Sequence, residues 1–90
     1  MDTAGFEAAL KRDGFLEIVT KSMDPNVSLE EHTHPYDVRA MVLEGEVTLR
    51  FDGKVQTCRP GDSLTMAAGC AHSESYGPQG VTYIVGRRKK

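Results

Sequence analysis

Turn signals recur along this chain from Phe15 onward, at intervals of about eight to ten residues. They are "DPN" at 24–26, "HP" at 34–35, "EGE" at 44–46, "DG" at 52–53, "PGD" at 60–62, "AAG" at 67–69 and "GPQG" at 77–80. Between them lie short runs rich in β-branched and apolar residues: "FLEIVTKSM", "VRAMVL", "VTLRF", "KVQTC", "SLTM" and "VTYIV". Short strands at this spacing are typical of a β-sandwich or a β-barrel, so the chain is predicted to be an all-β domain.

The turn at Asp52-Gly53 is predicted to be a tight β-hairpin. Asp52-Gly53 separates "VTLRF" from "KVQTC". A two-residue type I′ hairpin needs positive φ at both central residues, and Asp-Gly meets that need well. We therefore expect a tight hairpin at this point.

The first residues of the chain follow another pattern. "FEAALKR" contains good helix formers, with Phe6, Ala9 and Leu10 on one face and Gly14 placed to end the helix. The sequence predicts one short N-terminal helical segment within residues 1–13, packed on the outside of the barrel.

Size and charge exclude several classes of protein. The 90 residues make one domain, residues 1–90, with the barrel over residues 15–86. A formal net charge of −2 gives no general attraction for nucleic acid. No apolar run approaches the roughly 20 residues of a membrane span, and none at the N-terminus suits a signal peptide. Neither nucleic acid nor membrane is expected as a partner.

Cysteine usage, the C-terminus and the small size give three further expectations. Cys58 and Cys70 are too few for a disulfide framework, so both are predicted to be reduced thiols in a cytoplasm. "RRKK" at 87–90 is predicted to be a solvated, frayed basic tail. A small barrel buries little surface alone and leaves edge strands exposed, so we expect a homodimer formed through the N-terminal segment or "FLEIVTKSM".

The histidines of the chain are the candidate functional residues. Of the three histidines, His32 and His34 stand one residue apart in "HTHP", and His72 follows a glycine turn in "AAGCAH". On a strand, alternate side chains share a face, so His32 and His34 are expected to point the same way. A His-x-His pair on a strand is often only an exposed pair of side chains that binds nothing. With His72 at the start of another strand, however, three imidazoles can converge on one metal ion and leave its other side open to ligands.

Two segments carry a resemblance to the cupin superfamily. Its first motif has the form Gly-x5-His-x-His-x3-4-Glu-x6-Gly, which "HTHPYDVRAMVLEG" matches from His32 to Gly45. Its second has the form Gly-x5-Pro-x-Gly-x2-His-x3-Asn, which "GDSLTMAAGCAH" matches from Gly61 to His72, with Ala67 in the proline place. The resemblance implies a double-stranded β-helix, the jelly-roll cupin barrel, with a metal site formed by the three histidines at its mouth.

This sequence departs from the family pattern at two places. Val38 stands in the glutamate place of the first motif, and Tyr76 in the asparagine place of the second. Either the site is an all-nitrogen one, as in the three-histidine branch that resembles thiol and diketone dioxygenases, or a carboxylate arrives from elsewhere. Glu74 is the favoured candidate, because it shares a strand face with His72 and Tyr76. Asp37 has the wrong parity unless a bulge turns it inward.

The function that follows is a metal-binding cupin holding a divalent transition metal, with iron, manganese, nickel, copper and zinc all suited to imidazole. The resemblance implies a dioxygenase-type oxidoreductase acting on a small anionic or chelating substrate, with Glu74 or Tyr76 moving a proton. Two alternatives stay open: a non-catalytic barrel that binds a small ligand, and a metal-dependent isomerase or lyase.

Overall fold

The fold is mostly antiparallel β-structure with one short N-terminal helix, as predicted. A computed structural model describes residues 2–89. Its elements are α1 (Thr3–Arg12), β1 (Glu17–Met23), β2 (Ser28–His32), β3 (Tyr36–Phe51), β4 (Lys54–Cys58), β5 (Ser63–Met66) and β6 (His72–Lys89). Within that range no helix has both the length and the apolar character needed to cross a membrane.

Two long strands organise the sheet. The order of pairing is β1-β6-β3-β4, while β2 also pairs with β6 and β5 with β3. β3 and β6 run antiparallel from the pair Tyr36 and Lys89 to the pair Arg50 and Ser73. Every other strand therefore pairs with one of these two, and their interior-facing side chains enclose the main core.

Two segments that had been predicted as turns lie inside these strands. "EGE" at 44–46 belongs to β3 and "GPQG" at 77–80 to β6. The register between the strands shifts beside Gly45, and both Gly45 (φ +72°) and Gly80 (φ +71°) have left-handed backbones. The glycine signals thus mark β-bulges, which bend a strand without reversing it.

The basic C-terminal segment also differs from its prediction. Arg87, Arg88 and Lys89 continue β6 and pair with Val38, Asp37 and Tyr36 of β3, whereas a frayed tail had been expected. Ion pairing explains the order, because an Arg88 Nη lies 2.9 Å from an Asp37 oxygen. Lys90 lies outside the described residues.

α1 packs against the outer face of the sheet, as its apolar positions predicted. The Asp2 carboxylate caps it by accepting from the Gly5 N–H at 2.8 Å. Gly14 ends it with φ at +86°. Leu10 is fully buried, in a cluster with Phe15, Met41 and Ile84. This second, smaller core attaches the helix to β3 and β6.

Charged groups surround Phe15 at the same junction. The guanidinium carbons of Arg39 and Arg88 lie 4.6 and 4.4 Å from the centre of its ring. Arg39 also donates to Asp13 at 2.7 Å, and Arg88 donates to the Asp13 carbonyl at 2.8 Å. The hydrogen bond from Arg39, with a further one from Arg12, lowers the pKa of Asp13. The end of the helix is therefore held to both central strands.

The predicted hairpin is confirmed. Asp52 has φ at 50° and Gly53 at 70°, the positive values that a type I′ turn requires. β4 begins directly after it, at Lys54, and ends at Cys58, so the run "KVQTC" is a strand over its full length.

Gly45 and Gly53 provide a matched pair for testing the bulge. Both have positive φ, but a Cβ at Gly45 would collide with the Gly80 carbonyl, while a Cβ at Gly53 would meet nothing within 4 Å. Gly53→Ala should cost about 1–2 kcal/mol of the free energy of unfolding, for the backbone alone. Gly45→Ala should cost at least about 2 kcal/mol more, because two strands must separate. Chemical denaturation measures both, and equal losses would show that the bulge tolerates a side chain.

The expected homodimer stays a prediction, which the two edges of the sheet make testable. Leu16, beside the edge strand β1, is 76% exposed, and Val55, on the edge strand β4, is 66% exposed. If β1 pairs with a second copy, sedimentation should give a dimer mass that Leu16→Asp reduces to one chain. Val55→Asp is the matched control and should leave the dimer intact. A wild-type mass of one chain at micromolar concentration would contradict the prediction.

Candidate metal centre

The three histidines come together where β2 meets the start of β6. Antiparallel pairing sets His32, the last residue of β2, opposite His72, the first residue of β6. His34 lies just beyond the end of β2, in the connection to β3, and not on the strand as predicted. Its carbonyl accepts from the Gly69 N–H at 2.9 Å, which fixes this connection against the loop before His72.

The imidazole rings converge, as the sequence predicted. Their centroids are 5.0 Å apart for His32 and His34, 4.4 Å for His32 and His72, and 5.1 Å for His34 and His72. One ligand nitrogen from each ring lies within 4.8 Å of the others. A single divalent ion can therefore reach all three.

Backbone carbonyls orient two of the rings. His32 Nδ1 lies 2.7 Å from the Glu30 carbonyl, and His72 Nδ1 lies 3.0 Å from the Cys70 carbonyl. A carbonyl only accepts, so each Nδ1 carries the proton and each Nε2 presents its lone pair. This arrangement is common in histidines that ligate metals. His34 is held differently, by stacking on Tyr36 with centroids 5.1 Å apart and an interplanar angle of 8°.

The electrostatic setting favours the neutral form of His34. Burial lowers the pKa of His34, and the neighbouring His72 and His32 lower it further when they carry charge, while Glu74 opposes the shift. A neutral imidazole keeps the lone pair that a metal needs. The donor set of three oriented nitrogens thus suits a divalent transition metal, although it does not choose among the metals.

Glu74 and Tyr76 line the same cavity as the histidines, on the strand face predicted for them. Glu74 Oε1 lies 3.7 Å from His72 Nε2, and Glu74 Oε2 accepts from the Tyr76 hydroxyl at 2.7 Å. Burial and this hydrogen bond raise the pKa of Tyr76. Burial, with a smaller contribution from Glu74, raises the pKa of Tyr83 to about 12. Both phenols therefore stay protonated at neutral pH, close to a carboxylate. The structure brings these residues together, and their catalytic role stays a prediction.

Asp37 lies outside this group. It is 6% exposed, and its carboxylate accepts from the Ala68 N–H at 2.8 Å and pairs with Arg88. No bulge turns it towards the histidines, since the register from Tyr36 to Val42 is continuous. Val38, in the glutamate place of the first motif, lines the cavity. The carboxylate that faces the three histidines is therefore that of Glu74.

The sequence had not pointed to three other polar side chains of this cavity. The cavity has a volume of about 100 Å³, and Lys21, Tyr83 and Arg87 line it beside the predicted residues. Tyr83 and Arg87 share the parity of Val85 in β6, a signal that a longer strand prediction would have used. Arg87 was missed because it was placed in a frayed tail.

Comparison with known families agrees with this geometry. The family model described as Cupin domain matches residues 19–75. The chain belongs to the cupin family. The match covers the segment that holds all three histidines of this cupin, which confirms the resemblance seen in the two motifs. No curated protein sequence matches the chain.

Solved structures share the fold. A protein of unknown function from Rhizobium leguminosarum bv. viciae 3841 is 25% identical, with a TM-score of 0.77 over 81% of this cupin and 69% of that chain. KdgF from Halomonas sp. is 17% identical, with a TM-score of 0.67 over 81% of this cupin and 68% of its own chain. The DMSP lyase DddQ from Ruegeria pomeroyi is 20% identical, with a TM-score of 0.72, and this cupin covers 38% of it.

Loss of one imidazole should weaken metal binding at least about tenfold. His34→Ala removes a ligand that is only partly buried, so the barrel should still fold. After dialysis against Zn²⁺, elemental analysis should give about one ion per wild-type chain and at least tenfold weaker retention in the variant. Zn²⁺ at about 100 times its wild-type Kd should also stabilise the wild type by about 2.7 kcal/mol, and the variant by about 1.4 kcal/mol or less. Cys70→Ser, two residues from His72, is the control and should keep its metal. Equal retention in all three proteins would contradict the assignment.

Proposed function

We propose that this cupin is a metal-dependent enzyme that moves a proton on a small chelating, anionic substrate, as an isomerase or a lyase does. One observation carries the proposal. The Glu74 carboxylate lies between His72 Nε2, at 3.7 Å, and the Tyr76 hydroxyl, at 2.7 Å, and faces the same cavity as the three histidines. A carboxylate held beside a metal site is suited to general acid–base catalysis.

The three imidazoles would hold the ion through Nε2 of His32 and His72 and one nitrogen of His34. When bound, a divalent ion supplies Lewis-acid polarisation of a substrate oxygen, which makes a neighbouring C–H bond more acidic. Glu74 Oε1 would accept the proton from that carbon. Returning it at a different atom gives an isomerase, and loss of a leaving group from the next carbon gives a lyase.

Tyr76 would position the base. Its hydroxyl donates to Glu74 Oε2, so the other oxygen, Oε1, is directed towards His72. The raised pKa of Tyr76 keeps this donor protonated throughout the neutral range. Leu49, Leu64 and Met66 add apolar side chains to the lining of the same cavity.

A dioxygenase-type oxidoreductase is the second candidate. The observation that favours it is the donor set itself, because three neutral imidazoles suit iron or copper as well as zinc and carry no charge of their own. In that reaction Glu74 or Tyr76 would also handle a proton. Among structures with the same fold, two bear the name of DMSP lyases, which is compatible with the first candidate. A non-catalytic ligand-binding barrel is the third possibility.

An isotope experiment separates these candidates without knowledge of the product. The protein is loaded in turn with Zn²⁺, Mn²⁺ and Fe²⁺ and mixed in D₂O with a panel of small 2-oxo and 3-hydroxy carboxylates. NMR then follows deuterium incorporation and elimination, while an electrode follows oxygen uptake. Deuterium incorporation under nitrogen supports the proton-transfer enzyme. Uptake of oxygen that depends on substrate supports the dioxygenase, and binding without either reaction supports the binding barrel.

Glu74 and Asp37 make a matched pair for the role of the carboxylate. Glu74→Gln keeps the shape and the hydrogen bond from Tyr76 but removes the base, so exchange should fall at least about tenfold. Asp37→Asn should cost about 1–3 kcal/mol of the free energy of unfolding, because it breaks the buried pair with Arg88, yet leave activity per folded molecule unchanged. If Asp37→Asn were the inactive variant, the assignment of the base would be wrong.

A further inference from the structure

Arg87 stands at an unusual place beside the histidine cluster. In the β3–β6 register it is the direct partner of Val38, the residue in the glutamate place of the first cupin motif. Both side chains line the cavity that holds the three histidines. Where the family pattern has a carboxylate, this chain therefore has an apolar side chain with an arginine across from it.

The guanidinium of Arg87 contacts an aromatic ring, but one of its hydrogen-bond donors has no acceptor among the described residues. Its carbon lies 5.1 Å from the centre of the Tyr36 ring, and that ring stacks on His34. Its Nε is buried and donates to no group within residues 2–89. Over the same range Arg87 forms no ion pair within 4.0 Å, although the exposed Glu17 is its cross-strand neighbour on β1.

Positively charged side chains outnumber negatively charged ones around the cavity. Lys21 and Arg87 are its cationic side chains and Glu74 is its carboxylate, so the cations outnumber the anion even before a divalent ion is counted. A buried donor without an acceptor is unfavourable, and more so when it carries charge. A guanidinium pairs best with a planar carboxylate, through two parallel hydrogen bonds.

We propose that Arg87, assisted by Lys21, is a carboxylate-binding subsite that places the carboxylate of the substrate beside Val38, next to the three-histidine cluster. The ligand then supplies the negative charge that the chain lacks at position 38. A volume of about 100 Å³ admits several non-hydrogen atoms, since one water needs about 10–15 Å³ by this measure. The substrate class is small carboxylates with a second oxygen donor for the ion.

The inference rests on the proposed metal-dependent function for the role of the ion, but Arg87 does not ligate it. Metal binding and carboxylate binding can therefore be measured separately. The probe is malonate, titrated by calorimetry into Co²⁺-loaded and metal-free protein, with neutral malonamide as the control ligand and inorganic phosphate as a second anion. The visible absorption of Co²⁺ reports whether the histidine site is intact in each variant.

Arg87→Met should weaken malonate binding at least about tenfold while leaving the Co²⁺ spectrum unchanged, and Arg87→Lys should recover part of the affinity. In Val38→Glu the new carboxylate should pair with Arg87 in place of the ligand, so malonate affinity should also fall at least about tenfold. Val38→Gln, which has the same shape without the charge, should weaken it less than Val38→Glu does.

The results test the carboxylate subsite and the proposed metal-dependent function separately. If wild-type protein does not bind malonate in either form, or binds it no better than malonamide, the subsite is wrong. It is also wrong if Arg87→Met binds malonate as the wild type does, or if phosphate binds more tightly than malonate. If Co²⁺ does not bind but malonate affinity still depends on Arg87, the subsite stands and the proposed metal-dependent function fails.

Discussion

The antiparallel pairing of β3 with β6 is the constraint on which the rest of the structure depends. It runs from Tyr36 and Lys89 at one end to Arg50 and Ser73 at the other, and every other strand pairs with one of these two. The same register sets Val38 opposite Arg87 beside the site, and it places Asp37 opposite Arg88 on the other face. A shift of one residue would exchange these faces and bring the wrong carboxylate to the cavity.

Charge separation between the two faces follows from that register. On the outer face Asp13 pairs with Arg39 and Asp37 with Arg88, and the first of these pairs holds the end of α1 to the sheet. On the inner face the balance is different, because two cationic side chains and one carboxylate, Glu74, line the cavity. The outer pairs stabilise the fold, whereas the inner face has an excess of positive charge.

Much of the fold was predictable because its signals are local. The Asp52-Gly53 hairpin, the strands Lys54–Cys58 and Ser63–Met66, and the helix before Gly14 each depend on a few neighbouring residues. The site was predictable for a related reason. Strand parity alone placed Glu74 beside His72 and turned Asp37 away.

The parts that sequence did not reveal depend on contacts between distant segments. Gly45 and Gly80 look like turn residues, and only their close approach across β3 and β6 shows that they form a bend. Arg87 and Arg88 look like a solvated tail, and only Asp37 and Val38, some fifty positions earlier, make them part of a strand. No local pattern in "RRKK" contains that information, so the cationic side of the cavity was missed.

Anomalous diffraction from crystals soaked in Co²⁺ tests the central claim most directly. The account predicts one strong peak per chain at the metal edge, bonded to Nε2 of His32, Nε2 of His72 and a nitrogen of His34, at the roughly 2.0–2.2 Å expected of imidazole ligands. It also predicts that Asp37 stays paired with Arg88, away from that peak. A peak bound by Asp37, or no peak among the three histidines at full soak, would contradict the account.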